Sequence, residues 1–94
     1  MLSLPAKITH SDADALARSL VEQVSAQSST VVVEAQQLVD FDSSALAVLL
    51  ACRRAALASG KLFAVNDLPS KLVQLASLYG VAQLLVPAPA IQEV

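Results

Sequence analysis

The chain has 94 residues, of which 55% are hydrophobic and only 15% are charged, and its net charge at pH 7 is −2. Six basic residues spread thinly along the chain, with two phenylalanines and one tyrosine, do not provide the basic cluster or stacking platform of a nucleic-acid surface. No apolar run approaches the roughly 20 residues that cross a bilayer, and no secretion signal is recognisable, so we expect a cytoplasmic protein without direct membrane insertion.

The first half of the chain predicts strands alternating with a helix. Leu, Ala and Ile alternate over residues 2–8 and indicate a first strand, although Pro5 cannot donate a hydrogen bond to a neighbouring strand. A helix is predicted over residues 12–27 from the spacing of its apolar positions. The β-branched run at 30–34 predicts a central strand, and a loop is expected over 35–42.

The second half repeats this alternation. A helix is predicted over 43–59, a strand over 61–65 and a helix over 70–80, with a glycine just past the first helix and at the end of the second. Residues 81–86 are expected to form a short final strand or an extended tail. This order is typical of an α/β fold, and we expect a single domain over residues 1–94 with a four-stranded, mostly parallel sheet and about three helices.

The residues needed for catalysis or for binding a cofactor are scarce. His10 is the one histidine and is expected to be a solvated turn residue, so a nucleophile would lack a base. Too few Cys and His residues are present for a zinc site, and both glycines follow helices rather than cradling a phosphate. We therefore expect no catalytic residue, no metal and no cofactor. A small enzyme or a Mg²⁺ site using Asp40 and Asp42 stays open as an alternative.

The start of the helix predicted over 43–59 is the most informative segment. Its first backbone N–H groups have no partner within the helix, and Asp and Ser are favoured residues for capping them. A hydroxyl left over at such a helix start can face a partner protein or receive a phosphate. Small residues next to the serines permit a close approach, and an arginine further along can pair with acidic groups on a partner. The candidate partner-binding residues are Asp42, Ser43, Ser44, Ala45, Ala47 and Arg54, and the candidate phosphorylation sites are Ser43 and Ser44.

Two segments carry a resemblance to a known family. The apolar strand at 31–34, the short loop and the Asp-Ser-Ser-Ala-Leu sequence at 42–46 resemble the signature of STAS domains. The Leu-Ala-Ser-Leu-Tyr-Gly sequence at 75–80 is similar to the MlaB branch of that family, and the resemblance covers roughly residues 4–86. It implies a small STAS-type domain that is truncated relative to the full family fold, because the usual opening hairpin and final helix are not fully represented.

The resemblance also implies a function. MlaB-like proteins are non-catalytic cytoplasmic subunits of ABC transporters that move phospholipids and maintain lipid asymmetry. They bind the ATPase subunit and support its assembly and activity. This chain would accordingly contact an MlaF-like ATPase subunit, in a complex with permease and substrate-binding subunits, and lie peripherally at the inner membrane through that partner. Ser43 matches the residue at the ATPase contact.

The same family offers an alternative. Ser44 matches the serine that partner kinases phosphorylate in anti-sigma-factor antagonists, which implies a regulatory switch rather than a transporter subunit. We expect a phosphate on either serine to weaken docking, because roughly two negative charges would have to be desolvated in an apolar contact.

Overall fold

The computed structural model describes residues 2–85, which form an α/β domain of short parallel strands and packed helices. In chain order the described elements are β1 (Leu2–Ser3), β2 (Lys7–Ile8), α1 (His10–Val24), β3 (Thr30–Glu34), β4 (Asp40–Phe41), α2 (Ser44–Ala58), β5 (Leu62–Asn66), α3 (Ser70–Leu78) and α4 (Ala82–Leu85). None of these helices is long and apolar enough to cross a membrane.

A three-stranded parallel sheet has β3 at its centre. Its order is β1-β3-β5, with Leu2 opposite Val33 and Val33 opposite Val65. Val31 and Val33 are fully buried, as the β-branched run predicts for a central strand. Parallel neighbours need a crossover connection, which α1 supplies between β1 and β3 and α2 supplies between β3 and β5.

A separate two-stranded parallel ladder pairs β2 with β4, in the register Lys7 to Asp40 and Ile8 to Phe41. The prediction of one strand over 2–8 is wrong, because the chain breaks around Pro5 into two strands that pair with different partners. The predicted loop over 35–42 contains β4. The mostly parallel α/β prediction is confirmed, but the described strands form a three-stranded sheet and a two-stranded ladder rather than one four-stranded sheet.

The core lies where α1 and α2 pack on each other and on the sheet. One face of α2 is almost completely buried, and its core residues are Ala45, Leu46, Val48, Leu49, Cys52 and Ala56. Burial raises the pKa of the Cys52 thiol to about 11, which keeps it protonated among its apolar neighbours. Leu57, by contrast, is 47% exposed, because the small residues Cys52 and Ala56 occupy the inward positions of that half of the helix.

The helix α1 begins at His10, two residues earlier than predicted, because Thr9 forms its N-terminal cap. The Asp12 carboxylate accepts hydrogen bonds from the Thr9 backbone N–H (3.4 Å) and hydroxyl (3.0 Å), in the manner of a capping box. At the other end, the ammonium group of Lys61 lies at the negative end of the helix dipole. It donates to three carbonyl oxygens, those of Val24 (2.7 Å), Ser25 (3.2 Å) and Gln27 (2.8 Å).

The helices α2 and α3 both end in Schellman motifs around a glycine with positive φ. At the end of α3, Gly80 (φ +75°) donates to the Ser77 carbonyl (3.0 Å) and Val81 donates to the Ala76 carbonyl (2.8 Å). The turn leads into the helical turn α4, so the predicted strand or tail over 81–86 is wrong for residues 82–85. Residue 86 of that prediction lies outside the described residues.

Candidate functional site

The Asp42 carboxylate joins the starts of two helices. Its Oδ2 accepts a hydrogen bond from the backbone N–H of His10 (3.0 Å), and its Oδ1 accepts one from the backbone N–H of Ser44 (2.8 Å). These are the first residues of α1 and α2, where backbone donors have no partner within the helix and the dipoles are positive. One negative charge therefore stabilises both helix starts and holds them side by side.

The β2–β4 ladder explains why Asp42 reaches both helices. Ile8 lies opposite Phe41, and each of these strands runs into its helix after only one or two further residues. The ladder continues beyond β4, since the Asp42 N–H donates to the Ile8 carbonyl at 3.3 Å. The parallel register thus places the side chain of Asp42 beside the first turn of α1.

These hydrogen bonds set the charge state of Asp42. The Ser44 backbone N–H is the largest cause that lowers the pKa of this carboxyl below its ordinary value of 3.8. The Ser44 hydroxyl and the His10 N–H lower the pKa further, while partial desolvation opposes them. Asp42 is therefore ionised at neutral pH and occupied as a structural acceptor, which does not suit a general acid. Among residues 2–85, no three His, Cys, Asp or Glu side chains lie close enough to hold a metal ion.

The two serines after Asp42 differ in accessibility. Ser43 is exposed, and its hydroxyl makes no hydrogen bond with the residues that the structure describes. Ser44 is half-buried, and both its N–H and its hydroxyl face the Asp42 carboxylate. Because Asp42 provides the cap, Ser43 is the residue that presents a free hydroxyl at this helix start.

An open apolar groove of about 330 Å³ begins at Ser43. We call it the Ser43 groove, and it is lined by Ser43, Leu46, Ala47, Leu50, Tyr79 and Val81. Most of its surface is apolar, and the Ser43 hydroxyl lies at the end formed by the start of α2. It therefore combines a hydrophobic concavity with the hydroxyl groups of Ser43 and Tyr79, as protein-binding surfaces commonly do.

The candidate residues proposed from the sequence fall in four different places. Ser43 and Ala47 both line the groove, and Arg54 is exposed two turns further along α2 without lining it. Asp42 is exposed but is engaged in holding the helices. The assignment of Ala45 to the contact surface is wrong, because its small side chain points into the core and is fully buried.

Sequence reasoning missed the contribution of Tyr79 and Val81 to this groove. The helix predicted over residues 70–80 includes Tyr79. Because α3 ends at Leu78, Tyr79 is its C-terminal cap residue and is 60% exposed. The glycine signal for the helix end was present in the sequence, but only the tertiary packing shows that the turn beyond it lies next to α2.

We expect Asp42→Asn to lower the free energy of unfolding at neutral pH, because an amide NH₂ group cannot accept the second backbone hydrogen bond. The difference in the free energy of unfolding between Asp42→Asn and the wild type should become smaller as the pH is lowered. The folded-state pKa of Asp42 lies below its unfolded-state value. Its contribution to the free energy of unfolding is therefore fully present above about pH 3.8 and is lost as the pH falls through the folded-state pKa. Urea denaturation across this acidic range measures the difference.

Asp40→Asn provides the matched control for that experiment. Its exposed carboxylate is two residues away and accepts no hydrogen bond within residues 2–85. We expect Asp40→Asn to leave the free energy of unfolding at neutral pH close to that of the wild type. If the free energies of unfolding of the wild type and Asp42→Asn differ by the same amount throughout the acidic range, Asp42 does not hold the two helices as described.

The chain also matches a known family along most of its length. The family described as "Mlab, STAS domain" matches residues 1–87. No curated protein matches this sequence. The small α/β fold and the Asp-Ser-Ser start of α2 agree with that family match. The chain therefore belongs to the STAS domain family, a family of protein-interaction and regulatory domains.

Proposed function

We propose that this protein is a non-catalytic accessory subunit of an ABC-type phospholipid transporter. It docks on the ATPase subunit through the Ser43 groove and supports the assembly and activity of that subunit. The observation that carries the proposal is the free Ser43 hydroxyl, exposed at the end of an apolar groove on a helix whose start is fixed by Asp42.

The groove has the physical properties of a docking surface. Its apolar lining gains free energy when a partner removes it from water. Tyr79, an exposed aromatic residue at the rim, belongs to a residue type that often dominates the binding energy of interfaces. The Asp42 hydrogen bonds hold the helix start in place before any partner arrives, which reduces the entropy lost on binding.

The choice of partner rests on the family and on the resemblance of two segments. The sequence at 42–46 resembles the signature of STAS domains, the sequence at 75–80 is similar to the MlaB branch, and both segments border the Ser43 groove. This supports an ATPase partner within a complex with permease and substrate-binding subunits. The protein would then lie at the cytoplasmic face of the inner membrane, held there by its partner.

A non-catalytic role suits the side chains near the groove. Asp42 is committed to backbone hydrogen bonds, and the described groove lining contains the hydroxyl groups of Ser43 and Tyr79 beside four aliphatic residues. No base within the lining activates the Ser43 hydroxyl, as nucleophilic catalysis would require.

We expect Ser43→Lys to abolish recovery of the ATPase subunit when the tagged protein is purified from native membranes. A long charged side chain would fill the end of the groove and would have to be desolvated without a partner. Mass spectrometry of the recovered proteins measures the loss. Ser28→Lys is the matched control, because Ser28 is also exposed but precedes β3, at the opposite end of the sheet from the start of α2.

Two results would overturn the proposed docking site. Equal recovery of the ATPase subunit with Ser43→Lys and with the wild type would show that the groove is not the contact. Absence of any ABC ATPase from the wild-type preparation would contradict the proposed partner itself.

A regulatory switch is the second candidate, and the exposed hydroxyl favours it. A phosphate on Ser43 would lie at the positive end of the α2 dipole, yet it would place charge in the apolar groove and prevent docking. Ser44 is the less suitable acceptor, because its hydroxyl faces the Asp42 carboxylate and a phosphate there would be repelled. The geometry thus favours Ser43 over the Ser44 site that the resemblance implies.

In native protein that carries phosphate, we expect the modification to lie on Ser43. Peptide mass spectrometry locates it, with Ser43→Ala and Ser44→Ala as paired variants that should lose and keep the phosphate respectively. Phosphate found on Ser44, and retained in Ser43→Ala, would reverse this assignment.

A further inference from the structure

A second apolar groove lies beside the Ser43 groove. We call it the Lys71 groove; it has a volume of about 490 Å³ and is lined by Phe41, Lys71, Gln74, Leu75 and Leu78. The consecutive residues Leu78 and Tyr79 separate the two grooves, because Leu78 lines one and Tyr79 lines the other. These two side chains are 79% and 60% exposed, so they form an apolar ridge with a concavity on each side.

The apolar surface continues past the Lys71 groove. Val39 is 76% exposed and lines a further concavity together with Phe41 and Lys71. Six large hydrophobic side chains are exposed within residues 2–85, and three of them, Val39, Leu78 and Tyr79, belong to this one region. Single exposed apolar residues are ordinary, but a contiguous group of this kind marks an interaction surface.

Lys71 gives this surface its electrostatic character. Its ammonium group is exposed at the groove, and it makes no ion pair or hydrogen bond with residues 2–85. Within residues 2–85, an ion pair forms between Asp14 and Arg18 on α1. Among residues 2–85, none of those that line the two grooves is acidic. The surface therefore offers an unpaired positive charge to whatever covers it.

We propose that the two grooves form one docking surface for an amphipathic helix of the ATPase subunit. This helix would place a large apolar side chain in each groove, on either side of the Leu78–Tyr79 ridge, and a carboxylate opposite Lys71. Helices commonly bind in this way, with apolar anchors in a groove and charges at the rim that guide association. The inference rests on the proposed function and adds the chemistry of the partner segment to it.

The charges argue for an acidic protein segment over other occupants. A symmetric contact between two copies would place this surface against itself, and the described residues of its lining supply no carboxylate to face Lys71. An anionic membrane surface is recognised by clusters of about four to eight basic residues, whereas this chain has a net charge of −2 and only Lys71 in the groove linings.

The test measures association and dissociation rates between the purified protein and the ATPase subunit recovered with it. We expect Lys71→Glu to slow association about tenfold at low salt, and Lys71→Met to weaken the salt dependence, because rim charges act mainly on association. Leu78→Ser should instead speed dissociation about tenfold, since it removes an apolar anchor. Arg18→Glu is the control, with the same change in charge on α1, and should leave both rates unchanged.

The outcomes separate this inference from the proposed function. If Ser43→Lys prevents binding while Lys71→Glu and Leu78→Ser behave like the wild type, the Lys71 groove is not part of the interface and the proposed function stands. If Ser43→Lys also binds normally, both fail. Binding to vesicles of anionic phospholipid that is lost in Lys71→Glu, or self-association that is lost in Leu78→Ser, would overturn the inference by assigning the surface to a membrane or to a second copy.

Discussion

The structure of the candidate site depends on one carboxylate that accepts hydrogen bonds from two helix starts. Asp42 binds the backbone N–H groups of His10 and Ser44, and the parallel β2–β4 ladder brings those groups together. Without this acceptor, two backbone donors at positive helix ends would have to find other partners. Because Asp42 takes the capping role, the Ser43 hydroxyl has no hydrogen-bond partner among residues 2–85 and lies on a helix start that is already ordered.

The three consecutive residues 42–44 have different roles, and together these roles favour binding to a partner over catalysis. Asp42 holds the backbone, Ser44 completes the hydrogen bonding around that carboxylate, and Ser43 faces outward next to an apolar groove. A rigid hydroxyl beside an apolar concavity gives a partner both orientation and buried area. The exposed end of α3 extends the apolar surface, so one face of this small domain is suited to docking.

The local features of the sequence were enough to predict the alternating elements. The β-branched residues at 30–34 and the glycine after α2 are strong local signals, and the structure confirms the central strand and the helix end. The hydrogen bond between Asp42 and His10 spans 32 residues, so no local pattern could reveal it. The burial of Ala45 likewise depends on which face of α2 is turned toward the core. The exposure of Tyr79 depends on the residue at which α3 ends.

Hydrogen–deuterium exchange of the protein, alone and in the presence of the proposed ATPase partner, tests the proposed docking face most directly. It reports which backbone amides become protected when a partner covers them. We expect slower exchange in the bound state for residues 43–50, at the start of α2, and for residues 78–81, where the two grooves meet. Protection confined to α1, with unchanged exchange in both of those segments, would contradict the assignment of the docking face.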